Sequence, residues 1–254
     1  RNTDSANLRL GWQPAQGQEL TAGYRYLDGN RSTYPEQSGG PTYALYDALD
    51  NSDYTEDILS LAWGAQWSPL WRSTVTASRF EHDERYRSPG IFPYFNVPPN
   101  AADTNFTRDQ VQWLHTLHIA PGYEANVGAD YRHEDGQSGG YLEYFGAQYP
   151  TDYALDRDTR GAFADISATP LDALLLHGSL RHDNPDGFDS ETSAQAGVKY
   201  VAGGGVTLAV NWGEAYKLPS FFALGHPLVG NPDLQPEQGE SLDLGVAWQT
   251  SDAL

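Results

Sequence analysis

Histidines beside carboxylates are the first places where this chain of 254 residues could do chemistry, since an imidazole and a carboxylate can share a proton or a metal ion. Three such groups occur: His82 with Asp83 and Glu84, His133 with Glu134 and Asp135, and His182 with Asp183. Each reads as a polar strand end. His115 and His118 lie three apart, a spacing that on a strand sends them to opposite faces and argues against a shared metal. Asp47, Asp50, Asn51 and Asp53 offer oxygens for calcium but lack the glycine and bidentate glutamate of a calcium loop, so no metal site is assigned. No nucleophile elbow, phosphate loop, zinc-protease helix or dinucleotide fingerprint is present. There is no cysteine, which removes thiolate catalysis and disulfides. The expectation is a protein without catalytic residues or a cofactor.

Binding is better supplied than catalysis. Tyr43, Tyr46, Tyr94, Phe95, Tyr141, Tyr144, Phe145, Tyr153, Phe221 and Phe222 fall in or near long connections, and rings give large contact area with few torsions to freeze. They are candidate ligand-binding residues for a flat or bulky small molecule. The same rings would also serve as an interfacial girdle or as packing within the loops.

The elements that position these residues are strands. Leu8, Leu10 and Trp12 alternate with Arg9, Gly11 and Gln13, and Leu20, Ala22, Tyr24 and Tyr26 alternate with Thr21, Gly23 and Arg25. The period of two recurs to the end, where Leu242, Leu244, Val246 and Trp248 alternate with Asp243, Gly245, Ala247 and Gln249. Tight reversals such as Ser68-Pro69-Leu70, Ala120-Pro121-Gly122 and Gly203-Gly204-Gly205 alternate with long loops, the third of them spanning Glu134 to Asp156. About eleven antiparallel strands result, each long enough to cross a bilayer at a tilt. Short turns on one side and long loops on the other are the layout of an antiparallel transmembrane β-barrel, so the fold is expected to be all-β. Arg9, Arg25, Gln112, Asn126, Asp130, Arg132, Asp165, His177, Arg181 and Asn211 share the parity that faces the lumen.

Composition agrees. Mean hydropathy is negative and no apolar run is long enough for a membrane helix, but a barrel strand hides its apolar half from any average. A formal charge of −19 disfavours a phosphate backbone, so no nucleic acid partner is expected. The acidic runs around Asp50 to Asp57 and Asp152 to Asp158 read as solvated loop faces.

One stretch is more specific. Tyr216-Lys217-Leu218-Pro219-Ser220 is followed by Gly230-Asn231-Pro232-Asp233-Leu234-Gln235-Pro236-Glu237, between two alternating strands. The pair resembles the motif loop of the TonB-dependent outer-membrane receptors. The matching positions are Tyr216, Lys217, Pro219, Ser220, Gly230, Asn231, Pro232, Leu234, Pro236 and Glu237, and the loop is expected to shape the outer mouth. The resemblance implies a barrel of about 22 strands with a plugged lumen, of which residues 1–254 would form one incomplete domain. The plug domain and the TonB box would be absent from this stretch. It also implies the outer membrane of a Gram-negative bacterium, contact with lipid, and energy from the TonB complex through the missing plug. The function implied is active uptake of a scarce nutrient, such as a ferric siderophore, haem or cobalamin. A passive diffusion porin remains an alternative, because a water-filled lumen needs the same polar residues, and an outer-membrane barrel hydrolase is a third.

Overall fold

The computed structural model describes residues 1–33, 49–91 and 97–250. Its strands are β1 (Asn2–Trp12), β2 (Gln18–Thr33), β3 (Asp50–Ser68), β4 (Trp71–Ser88), β5 (Asn100–Ala120), β6 (Tyr123–Tyr144), β7 (Ala147–Pro150), β8 (Tyr153–Leu171), β9 (Leu174–Pro185), β10 (Glu191–Ala202), β11 (Val206–Lys217) and β12 (Glu237–Trp248). A short helix, α1 (Phe221–Gly225), lies between the last two. Every strand pairs antiparallel with its neighbour in sequence, except that the four-residue β7 only caps the end of β6, which then pairs with β8. The wall is therefore a path of eleven strands, open at β1 and β12.

Register keeps one kind of residue on each face. Trp12, Leu20, Trp63, Val75, Trp113, Ala129 and Ala162 follow one another across seven strands. One residue along, Gly11, Thr21, Ala62, Thr76, Gln112, Asp130 and Gly161 form the opposite row. A slip of one residue in any pairing would exchange the two. The apolar face has no second layer over it. Among the described residues the buried hydrophobics are Ala65 and Ala101 alone, while Leu242, Leu244 and Val246 are each more than half exposed. A water-soluble sheet cannot leave such a face bare, whereas a bilayer covers it.

The short turns use glycine where the backbone turns left-handed: Gly17 at φ 76°, Gly122 at 78°, and Gly204 and Gly205 at 77° and 78°. At the other end the strands overrun the apolar band. Outward positions become polar above Leu59, Val111 and Tyr131, where Asp57, Asp109 and His133 follow. Aromatic residues at this rim donate upward to carboxylates: Tyr24 to Asp57, Tyr131 Oη to Asp158 at 2.8 Å, and Trp212 Nε1 to Glu240 at 2.6 Å.

The overrun corrects the expected loop boundaries. Asp50 to Asp57 lies in β3, and most of the stretch from Glu134 to Asp156 belongs to β6, β7 and β8. Backbone pairing continues there although the outward face has turned polar, so the alternation that marks a half-buried strand is lost while the strand is not.

Candidate functional site on the inner wall

The motif loop does not stand away from the barrel; it folds back onto the inner face near the long-loop end. Ser220 starts α1 by accepting from Ala223 N at 3.1 Å, the usual role of serine at a helix start. His226 ends it, and its Nδ1 accepts from the backbone of Leu228 and Val229 at 3.2 and 3.3 Å. Gly230 N then donates to His226 O at 2.7 Å, with no room for a Cβ between the two backbones. Asn231 closes the motif by accepting from Asp233 N at 3.0 Å through its side chain, and its own N–H donates to Ala223 O at 2.8 Å. The Gly-Asn pair is thus the hinge that turns the chain back toward Glu237, the first residue of β12.

Side chains of β5, β6 and β8 receive the helix. The Phe221 ring lies against Gly136, where any Cβ would collide with it, and 6.2 Å from the ring of Phe106. Arg157 sits 5.0 Å over the same ring and donates to Pro219 O at 3.2 Å, so one guanidinium holds both the entry and the first turn of the loop. Gly225 packs against Leu155 and Tyr153, and Phe222 meets Tyr153 edge-on at 6.4 Å.

Behind Arg157 stands Glu134, whose side chain is 4% exposed. It accepts from Arg157 Nη2 at 3.0 Å and from Arg108 Nη2 and Nε at 2.8 and 3.0 Å, with Arg132 Nε 3.6 Å away. Burial alone would raise the Glu134 carboxyl, but Arg132, Arg157 and Arg108 outweigh it and hold it below the ordinary carboxylate range. A second cluster adjoins, in which Arg181 binds Asp130 at 2.8 and 3.0 Å and Asp183 at 2.6 and 2.8 Å. Burial, with Asp183 beside it, pushes the Tyr216 phenol up to about 12. That tyrosine links the start of the motif to the second cluster.

Of the ten candidate ligand-binding residues, the structure brings together Tyr153, Phe221 and Phe222. Tyr144 and Phe145 meet at 4.6 Å, at the tip of the β6–β7 hairpin. Phe145 and Gly146 both have positive φ, 51° and 78°, the mirror-image turn that suits a two-residue hairpin. Tyr141 lies on β6 opposite Pro150. Tyr43, Tyr46, Tyr94 and Phe95 lie outside the described residues. Arg157 was missed as a partner of the motif loop, as were Glu134 and Arg108 behind it. Arg157 stands between Asp156 and Asp158, which disguises it as part of a solvated acidic run. Among the described residues no three or more histidine or acidic side chains group to hold a metal, and His118 pairs with Glu124 at 3.1 Å.

The family model of the TonB-dependent receptor-like β-barrel matches residues 1–254. The chain is 25% identical over 213 residues to the vitamin B12 transporter BtuB of Vibrio cholerae serotype O1, covering 80% of this chain and 32% of that protein. It is 28% identical over 226 residues to BtuB of Photobacterium profundum, covering 87% and 32%. The chain spans about a third of the length of these curated relatives. Its fold superposes on the copper transporter OprC with a TM-score of 0.74 at 16% identity, over 98% of this chain and 42% of that one. The ferric yersiniabactin uptake receptor FyuA from Yersinia pestis gives 0.74 at 14% identity, over 98% and 43%. The chain belongs to the TonB-dependent receptor family and forms part of its β-barrel.

Proposed function

We propose that residues 1–254 are a single, partial barrel domain of an outer-membrane receptor that imports a scarce nutrient in a Gram-negative bacterium, energised through TonB. Cobalamin, a ferric siderophore and haem are the cargo classes in view, and the BtuB relatives favour the first. The observation that carries this reading is the division of the wall into a bare apolar face and a polar inner face on which the motif loop is docked. The wall's role is passive. It contacts lipid on one side, lines the lumen on the other, and presents aromatic rings to cargo at the long-loop end. The relatives' names describe transporters and receptors, which supports a protein without catalysis of its own.

Tyr153, Phe221 and Phe222 are proposed as an inner aromatic contact, Tyr141, Tyr144 and Phe145 as an outer one, and Tyr43, Tyr46, Tyr94 and Phe95 as further cargo contacts. The match of the whole chain to the receptor barrel family favours a receptor over an open porin. Growth of a deletion strain under cobalamin, siderophore-iron and haem limitation, with and without the full-length gene, tests the reading. Loss of growth on one nutrient, restored by the gene, is expected; unimpaired growth on all three contradicts it.

A further inference from the structure

The outer end of β11 leaves the wall. β10 pairs with β11 only from Gln195↔Gly213 to Ala202↔Val206, whereas β11 stays paired with β12 as far as Lys217↔Glu237. Above Gly213 the last two strands therefore continue as a two-stranded ribbon that carries the motif loop and has no ladder pair to β10 among the described residues. A cleft of about 410 Å³ separates Glu191, Thr192 and Ser193 of β10 from Glu214, Ala215 and Tyr216 of β11. Two side chains bridge it. Glu214 accepts from Ala194 N at 3.1 Å, in the place of a ladder carbonyl, and Gln238 Nε2 donates to the two Glu191 oxygens at 3.0 and 3.1 Å. The ribbon also turns about its own axis: Trp212 points outward, but Tyr216, of the same parity, reaches Asp183 on the inner wall.

The register that ends at Gln195↔Gly213 has residues suited to carry it further. Continued one residue at a time, it sets Ala194 opposite Glu214, Ser193 opposite Ala215, Thr192 opposite Tyr216 and Glu191 opposite Lys217. No proline interrupts either run, Thr192 and Tyr216 are strand formers, and Glu191 and Lys217 would bring opposite charges face to face. In the observed state Lys217 is exposed and has no ion pair among the described residues. The completed ladder and the docked loop exclude each other. On the line of the wall Lys217 would stand level with Gly161, three strands from β8 or about 14 Å, and four residues or about 13 Å short of Arg157 along the strand. Two residues of chain reach about 7 Å, so even with the guanidinium outstretched Pro219 O would lose Arg157.

We propose that residues 214–240 are a flap with two seats. In the observed seat α1 lies on the inner faces of β6 and β8; in the other the β10–β11 ladder closes up to Glu191↔Lys217, the cleft is gone, and Phe106 and Arg157 lose the loop that covers them. Gly213 ends the part of β11 paired with β10, Gly239 lies opposite Ala215 just above it, and glycine accommodates such a change of backbone angles most readily. The seats offer comparable contacts. Docking gains the Arg157 bond to Pro219 O and the Phe221 ring over Gly136, but leaves Arg157 Nε sealed without a partner, as are Arg132 Nε and Thr159 Oγ1 on the same stretch of wall. Zipping gains four residue pairs and an ion pair, and returns Arg157 Nε to water.

The test is disulfide trapping in the full-length receptor in lipid vesicles, with Ser193→Cys and Ala215→Cys as the only thiols. Because Ala194 N–H points toward β11, Ser193 and Ala215 would form a non-hydrogen-bonded pair of the closed ladder, the close spacing that a disulfide bridges. Cross-linking under a mild added oxidant is expected. Phe221→Ala, which empties the docked seat, is expected to speed it by about tenfold. Lys217→Glu, which sets like charges opposite each other in the closed ladder, is expected to slow it by about threefold, and combining it with Glu191→Lys to restore the rate. A pair that stays reduced even with Phe221→Ala overturns the proposal, and so does a rate that Lys217→Glu leaves unchanged or that the exchange of both charges leaves slow. Should Phe221→Ala fail to fold, Arg157→Gln loosens the docked seat from the side of the wall, with the same expectation. None of these rates depends on the cargo, so a negative result here leaves the receptor reading standing.

Discussion

The two faces of this sheet are built from the same strands and held by different forces. The outward band is a set of interchangeable apolar side chains, in which Leu242, Leu244 and Val246 are each more than half exposed. On the inner wall at the long-loop end, by contrast, single side chains have several named partners. Arg157 alone contacts Pro219 O, Glu134 and the Phe221 ring. The difference teaches where a substitution will matter: outside, any change that brings charge; inside, any change that leaves a partner stranded.

The largest effect is expected from charge on the outer band. Val75→Arg should cost about 2–4 kcal/mol of folding stability in the bilayer, while Thr76→Arg, one residue along on the lumen side, should cost far less. Denaturant unfolding of the full-length receptor in lipid vesicles measures both, and equal costs would break the contrast. Next comes Glu134→Ala, which strands Arg108 and Arg157 and is expected to cost about 3 kcal/mol. The motif loop should also loosen, seen as faster proteolysis between Lys217 and Glu237.

Acid probes the same carboxylate without mutation. The Glu134 carboxyl is held below its ordinary range in the folded state, so its contribution is complete above the unfolded pKa of about 4.3 and is lost as pH falls through the lower folded value. Loop protection against hydrogen exchange should therefore persist at pH 5 and fade only in stronger acid. Fading between pH 7 and 5 would implicate another group. Phe221→Ala removes the ring that fills the space over Gly136 and should cost about 2 kcal/mol, confined to the loop and measured by local exchange. The smallest change expected is a gain. Phe145→Gly relieves a bulky residue at φ 51° and should stabilise the hairpin by about 1 kcal/mol. If its ring, 83% exposed, contacts cargo, uptake should fall in the same variant.

Much of the outward face was legible in the sequence because a membrane demands it residue by residue. Leu208, Val210 and Trp212 alternate with Thr207, Ala209 and Asn211, and the register pairs them with Val246, Leu244 and Leu242. The strand extensions were legible only in part. Glu81 to Arg87 reads as a polar extension of the fourth strand, but Asn100 to Asp109 is paired strand that the sequence hides, because without lipid on the outward side the selection for alternation is gone. The motif loop's composition announced turns at Gly230 and Asn231, and both perform that local role, whereas the part Ser220 plays at the start of α1 was not read. Its destination was hidden, because it depends on Gly136, Arg157 and Phe106 in strands distant in sequence. Glu134 was grouped with His133 and Asp135 as one polar cluster, yet it faces the lumen and binds Arg108 and Arg157, while His133 faces outward and binds Asp158 at 2.7 Å.

The alternation of faces itself can be read directly, because the chain has no cysteine and each introduced thiol is unique within it. Spin labels placed singly at 208, 209, 210, 211 and 212 of the full-length receptor in vesicles would report collision with oxygen, which partitions into lipid, and with a water-soluble nickel chelate. Oxygen accessibility is expected to peak at 208, 210 and 212 and nickel accessibility at 209 and 211. Accessibility that fails to alternate between neighbouring positions would contradict a wall with hydrocarbon on one side and an enclosed polar interior on the other.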